Sequence, residues 1–332
     1  MTRHGAFALA LLLLPALVTA AHAAPSRIGI LLPGQEWMSA VDGLKDGLKD
    51  LGYVEGRDIL YTMDNANRDQ ARVAEITRRF MAERVDVLFT ITNTALKTVI
   101  AVTKAGAPPR VPVVFGSASG PVESGIVPAY ATPDTHVTGV TSGSIELVGK
   151  RLEILKEVLP DVRRVALIGE READSSLKAF ALAAELAPKL GLSVIELRVA
   201  PTEDTMEVAR RVTRKEADAL FLVPSLKTVG ATTQLAAYAR SVRLPFIVYQ
   251  VEHIRKSGAL VAYGSSYYLQ SRQAAVLVSK ILKGASPAQL PIERPRLHHL
   301  ILNLDTAAEI GVRFSPEILN RADELIGGRR AR

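Results

Sequence analysis

Cysteine is absent from the 332-residue chain, which removes disulfide bridges, thiolate nucleophiles and cysteine-ligated metals at once. It also removes any amino-terminal cysteine that could carry a lipid anchor. Aromatic residues make up only 5% of the chain, with a single tryptophan, and they are not interleaved with the basic residues. The net charge of +7 therefore does not build a basic, stacking surface, and no nucleic-acid partner is expected. Basic residues instead sit in solvated pairs such as Arg78-Arg79, Arg163-Arg164 and Arg210-Arg211. No G-x-S-x-G elbow, H-E-x-x-H pair or G-x-x-x-x-G-K loop occurs. Histidine adds little: His298 and His299 are adjacent on a predicted strand and face opposite ways, while His136 and His253 read as isolated, solvated loop residues. No catalytic residue, metal site or cofactor is expected, and the chain is not read as an enzyme.

The amino terminus does carry a signal. Arg3 and His4 precede an apolar run at 6–18 that is too short to span a bilayer with ease, and Ala21 and Ala23 supply small residues at cleavage spacing. Residues 1–23 are read as a secretory signal peptide. No later run is long and apolar enough for a transmembrane helix, so a periplasmic protein that is not membrane-embedded is expected. The length exceeds one typical core, and two lobes are the default.

One stretch is used twice. Residues 85–97 read VDVLFTITNTALK and residues 217–227 read ADALFLVPSLK, with Asp86 and Phe89 corresponding to Asp218 and Phe221. Arg78-Arg79-Phe80 and Arg210-Arg211-Val212 precede them at the same offset, and VPVVFG from Val111 and LPFIVYQ from Leu244 follow. A buried parallel strand is apolar throughout, and its polar residues collect at the carboxyl end. Two such units predict two similar lobes whose polar strand ends face a shared cleft.

In chain order, the spacing predicts strands at 27–32, 58–64, 85–91 and 111–115, with helices at 68–83 and after Ser39, read as a cap. The Gly/Ser/Pro/Thr-rich segment 116–144 is read as a crossing between lobes, with one short extended piece at 137–140. The pattern then restarts: helix 145–159, strand 165–169, helix 175–190 and strand 192–199. Strands at 259–263 and 297–304 and a helix at 266–283 remain after two complete lobes, so the chain crosses back. The expected fold is α/β, two doubly wound parallel-sheet lobes joined by several crossings. The amino-terminal lobe would comprise 27–140 with 264–295, and the carboxyl-terminal lobe 141–263 with 296–327, leaving 328–332 as a tail.

Several motifs are similar to one known family. Gly52-Tyr53-Val54-Glu55-Gly56-Arg57, the run from Ile145 to Glu153 (IELVGKRLE), Lys280-Ile281-Leu282-Lys283-Gly284-Ala285 and Ile301-Leu302-Asn303-Leu304 resemble the substrate-binding proteins of ABC importers, in the family that includes tryptophan- and tyrosine-binding members. The likeness runs from about Arg27 to Ile326. It implies a periplasmic binding protein fold of type I with three interlobe crossings, a small ligand in the cleft, and delivery to a membrane permease; a monomer is expected. The chain departs from the family at two predicted cleft loops. Glu170-Arg171-Glu172-Ala173-Asp174 stands where relatives have an Asn-Pro-rich loop, and Tyr249-Gln250-Val251-Glu252 where they have Gly-Phe-Arg-Glu.

Candidate ligand residues follow from the strand ends. Thr92, Asn93 and Thr94 begin a helix whose free N–H groups attract an anion such as a carboxylate, and capping explains the same residues. Ser117 and Ser119 could add donors, or serve the turn alone. Trp37 could stack on a ring, or pack on its own lobe. From the other lobe come Glu170, Ser225, Tyr249, Gln250 and Tyr263, with Glu170 placed to pair with a ligand ammonium or to remain solvated. The leading reading is a solute receptor that closes on an amino acid or another small carboxylate. An exported hydrolase or racemase, or a receptor presenting its ligand to a membrane sensor, stands as the alternative.

Overall fold

The structure, a computed structural model, describes residues 24–106, 110–131, 133 and 135–328. The expected signal peptide at 1–23 and all of the expected tail but Gly328 lie outside the described residues.

The first sheet has five strands, all parallel, in the order β2-β1-β3-β4-β5. They are β1 (Ser26–Leu32), β2 (Ile59–Asn65), β3 (Val87–Thr90), β4 (Val113–Ala118) and β5 (Val137–Thr141), with α1 (Met38–Asp50), α2 (Gln70–Ala82) and α3 (Asn93–Ala105) between them. The short extended piece expected inside a crossing is thus a true edge strand. Its five residues are all buried, and β4 supplies the partner that a polar, glycine-rich sequence does not announce.

The chain then passes to a second, seven-stranded sheet of order β12-β11-β10-β9-β8-β6-β7. This part runs α4 (Val148–Val158), β6 (Arg164–Glu170), α5 (Asp174–Leu186), β7 (Ser193–Val199), α6 (Thr205–Ala209), β8 (Ala219–Leu222), α7 (Leu226–Gly230), α8 (Thr232–Ser241), β9 (Phe246–Val248), α9 (Val251–Ser257) and β10 (Val261–Gly264). Helix α10 (Tyr267–Leu282) returns to the first sheet, and β11 (His299–Asn303), α11 (Leu304–Ile310), α12 (Pro316–Arg321) and β12 (Glu324–Ile326) return to the second. The one departure from parallel pairing is β11, which runs antiparallel to β10 because the chain re-enters the sheet from the opposite end.

The duplicated stretch explains why both sheets are wound alike. Asp86, ahead of β3, accepts the N–H of Arg27 at 2.7 Å, and Asp218, ahead of β8, accepts the N–H groups of Arg163 and Arg164 at 3.0 and 2.8 Å. Each aspartate thus ties the start of a third strand to the start of the first. The buried Phe89 and Phe221 sit at the same place in their strands.

Helix α1 shows what fastens α10 to the first sheet. Val41, Leu44 and Leu48 recur at helical spacing and are buried, each stabilising the fold by roughly 1.5–3 kcal/mol. Gly43 and Gly47 lie on the same helix against α10, where a Cβ on Gly43 would stand 2.0 Å from the Tyr268 carbonyl oxygen. Only glycine lets the two backbones approach this closely. Ser39 does not cap α1: a 3₁₀ turn over Gln35–Trp37 precedes the helix, Ser39 lies inside it, and its hydroxyl donates to Glu252 at 3.4 Å.

Candidate functional site

The two sheets meet around a cleft, the kind of place between lobes where small-ligand sites commonly lie. Its lining follows the carboxyl ends of β3, β4, β5, β8 and β9, where parallel strands hand over to helix starts. One wall consists of Trp37, Thr92, Asn93, Thr94, Ser117, Ser119, Ser142 and Tyr267; the other of Ala173, Ser175, Pro224, Ser225, Leu226, Val229, Tyr249 and Gln250. Among the described residues lining it, none carries a charge.

The first wall is rigidly made. Thr92 caps α3 by accepting the Ala95 N–H, and its own N–H donates to the Ser117 carbonyl at 2.7 Å. Its backbone has φ 68° and ψ 151°, a region that costs a β-branched residue roughly 1–3 kcal/mol and is held only when the surroundings impose it. Asn93 clasps the Ser119 peptide: its amide donates to the Ser119 carbonyl and its carbonyl accepts the Ser119 N–H, both at 2.7 Å. Ser119, Ser142 and Ser144 form a triangle of hydroxyls 2.6–3.1 Å apart. Asn93 therefore positions the wall more than it presents free groups to the cleft.

The second wall mixes satisfied and unsatisfied groups. Ser225 caps α7 and shares a hydrogen bond of 2.6 Å with Thr228, while Ser175 donates to the Pro224 carbonyl at 2.8 Å. Gln250 is different. It is fully buried, and among the described residues neither its amide nitrogen nor its oxygen has a hydrogen-bond partner. A buried amide without partners costs about 1–3 kcal/mol, so it marks a place where another molecule completes the bonding. Trp37, 1% exposed, turns its indole toward Tyr267. Trp37 meets the Tyr267 ring edge-on with centroids 6.4 Å apart.

Behind this wall, His253 is buried in α9 and is not the solvated loop residue expected. Its Nε2 lies 3.1 Å from the Tyr267 hydroxyl, its ring is edge-on to Tyr249 at 4.9 Å, and burial pulls its pKa down to about 3. The imidazole is therefore neutral and structural. Burial likewise pushes the Tyr249 phenol up, so it too stays neutral. Among the described residues no group of three His, Cys, Asp or Glu could hold a metal ion, and no helix is long and apolar enough to cross a membrane.

Nine of the candidates read from the strand ends lie along this cleft; Glu170 and Tyr263 do not. Glu170 is the last residue of β6, and its Oε2 accepts the Lys227 N–H at 3.1 Å, bracing the start of α7. Tyr263 on β10 shares a face with Val261, packing into the cluster that includes Leu167 and Phe221, with its ring stacked on His298 at 6.3 Å. Strand alternation turns it away from the cleft. Ser142, Ser175 and Tyr267 were not singled out from sequence. Tyr267 had a signal, the strand-then-helix handover at Gly264 and Ser266, and Ser175 opened a predicted helix beside a cleft loop.

The lobes touch around the cleft. Lys97 of α3 pairs with Asp174 of α5, Lys256 donates to the Glu36 carbonyl at 3.2 Å, and a Cβ on Gly230 would meet the Arg68 guanidinium at 2.4 Å.

Residues 28–326 match the family model described as ABC transporter substrate binding protein. A tyrosine-binding protein of Clostridioides difficile is 24% identical over 268 residues, covering 80% of this chain and 75% of that one. Two solved structures share the fold across 91% of this chain and 100% of theirs. One is a conserved domain protein of Vibrio cholerae, with TM-score 0.83 and 23% identity. The other is the ABC domain from Streptococcus pneumonia in complex with L-Trp, with TM-score 0.80 and 21% identity. With the family model spanning all but the ends of the sequence, the chain belongs to the ABC transporter substrate binding proteins.

Proposed function

We propose that the protein is a periplasmic solute receptor, exported by residues 1–23, that closes two lobes on a small carboxylate and presents it to the membrane permease of an ABC importer. The lobes are 27–140 with 264–295, and 141–263 with 296–327, working as a monomer without catalysis. The observation that carries this reading is Gln250, a fully buried amide with no partner among the described residues, on the wall of a cleft between two lobes. A ligand that bonds Gln250 from one side and the start of α3 from the other stabilises the closed state by its differential affinity. The hydroxyls and N–H groups around Thr92 suit the carboxylate, and Trp37, Tyr249 and Tyr267 suit an apolar or aromatic body, of which an amino acid is one case. Relatives that bind tyrosine or tryptophan support a ligand of this size.

Small-angle scattering tests the reading. The bound ligand should shrink the radius of gyration and raise the melting temperature by mass action. Stabilisation without compaction would confine the ligand to one lobe and contradict closure.

A further inference from the structure

No carboxylate lines the cleft wall, while a buried cation that makes no ion pair among the described residues stands directly behind it; from this we propose that the ligand is a small organic anion lacking an amine, a carboxylate and not a zwitterionic amino acid. The inference rests on the cleft being the ligand site and narrows what that site accepts.

An α-amino acid brings an ammonium that loses its water when the lobes close, and a buried cation requires a compensating charge. None of the acidic side chains adjoining the second wall lines the cleft. Glu170 accepts the Lys227 N–H and Asp174 pairs with Lys97, while Glu252 accepts from the Ser266 hydroxyl at 2.9 Å through one oxygen only, its other oxygen has no partner among the described residues, and burial pushes its carboxyl up toward the uncharged form. An ammonium would find hydroxyls, ring faces and the Gln250 carbonyl oxygen, none of which carries the compensating charge.

An anion finds the opposite. Arg151 on α4 is fully buried and makes no ion pair among the described residues; the carboxylate of Glu146, which accepts the Tyr130 hydroxyl, acts on it only from a distance. The Nε and Nη1 of Arg151 have no hydrogen-bond partner among the described residues. Charged residues are almost never buried this way unless paired. Its guanidinium lies between the rings of Phe221 and Tyr249, 5.6 and 5.7 Å from their centroids, and Tyr249 lines the cleft. Its Nη2 donates to the Ser144 carbonyl, and the Ser144 hydroxyl donates to Ser119 Oγ at 2.7 Å, which also lines the cleft. Burial lowers the pKa of Arg151 only to about 10, so the charge persists at neutral pH. In a poorly solvated wall its field reaches the cleft with little screening. The thirteen-residue helices α3 and α5 bring their amino-terminal ends to the cleft from opposite lobes and add to the same sign. The unpartnered Gln250 amide offers the anion a donor.

Matched sets of compounds separate the charge classes by titration calorimetry at neutral pH: L-tryptophan, indole-3-propionate and tryptamine; L-tyrosine, 3-(4-hydroxyphenyl)propionate and tyramine; L-leucine, 4-methylpentanoate and isopentylamine. Within any set that binds, the acid should bind about tenfold or more tightly than the amino acid, and the amine not at all. An amino acid that binds as tightly as its acid, or any amine that binds, overturns the proposal. Failure of all three acids overturns it too, while the cleft reading is judged separately by whether the molecule found bound in native mass spectrometry compacts the protein. Arg151→Gln gives a second readout in the folded variant. The preference for acid over amino acid should shrink; an unchanged ratio, with both affinities lowered together, would reduce Arg151 to a structural role and overturn its part.

Discussion

Replacing Gln250 with leucine should make the empty protein more closed and a poorer binder. In the closed arrangement the whole amide is out of water with neither end bonded, so its full desolvation cost of about 1–3 kcal/mol falls on the closed, empty state. Open lobes let water satisfy it, and a ligand satisfies it in the closed state. Leucine has nearly the same bulk and no polar atom, so the closed, empty state should gain about 1–3 kcal/mol, or roughly 5–150-fold in population. A ligand's polar groups would then face a methyl-ended chain, and affinity should fall by a comparable factor. Scattering of the ligand-free variant should give a smaller radius of gyration than wild type, and calorimetry a weaker affinity. An unchanged radius together with an unchanged affinity would refute the reasoning, because the amide would then be neither a cost to closure nor a ligand contact.

Thr92→Gly should be more stable than Thr92→Ala by about 1–2 kcal/mol in urea unfolding, since both lose the cap and only glycine adopts φ 68° freely; equal midpoints would show no strain there. Gly43→Ala should lower the melting temperature, by a cost of roughly 1–3 kcal/mol, because its Cβ would strike the Tyr268 carbonyl; an unshifted transition would mean that α1 and α10 separate without penalty. Burial holds His253 at a pKa of about 3, below its unfolded value, so the unfolded chain takes up a proton that the native state refuses. Stability should therefore fall as pH drops from about 6.5 toward 3, by up to about 1.4 kcal/mol per unit, and His253→Gln should flatten that slope; a slope identical in both proteins would place the acid sensitivity elsewhere.

The strands around the duplicated stretch were legible because a buried parallel strand is apolar throughout and its aspartate, phenylalanine and polar end recur at fixed offsets. The edge strand β5 was not, since VTGVT sits in a segment rich in turn residues and only its pairing with β4 makes it a strand. Strand ends led to Thr92, Ser117, Tyr249 and Gln250 along the cleft. The same rule also named Glu170 and Tyr263, which stand off the cleft, because the end of a strand fixes a neighbourhood while alternation and the next helix start fix the direction of the side chain. His253 was misread because α9 is a short helix made buried by Tyr249 and Tyr267, both brought to it by tertiary contacts. The two buried groups that say most about function, Gln250 with no hydrogen-bond partner among the described residues and Arg151 with no ion pair among them, are ordinary residues in the sequence. Their meaning lies in the absence of partners around them, which no local pattern encodes.

A crystal structure of the protein loaded with the acid that binds it most tightly tests the central claim most directly. The account predicts closed lobes with one molecule between them, its carboxylate against the N–H groups at the start of α3 and the Gln250 amide, and its body beside Trp37 and Tyr267. A molecule bound to one lobe with the other swung away, or lodged outside the cleft, would contradict it.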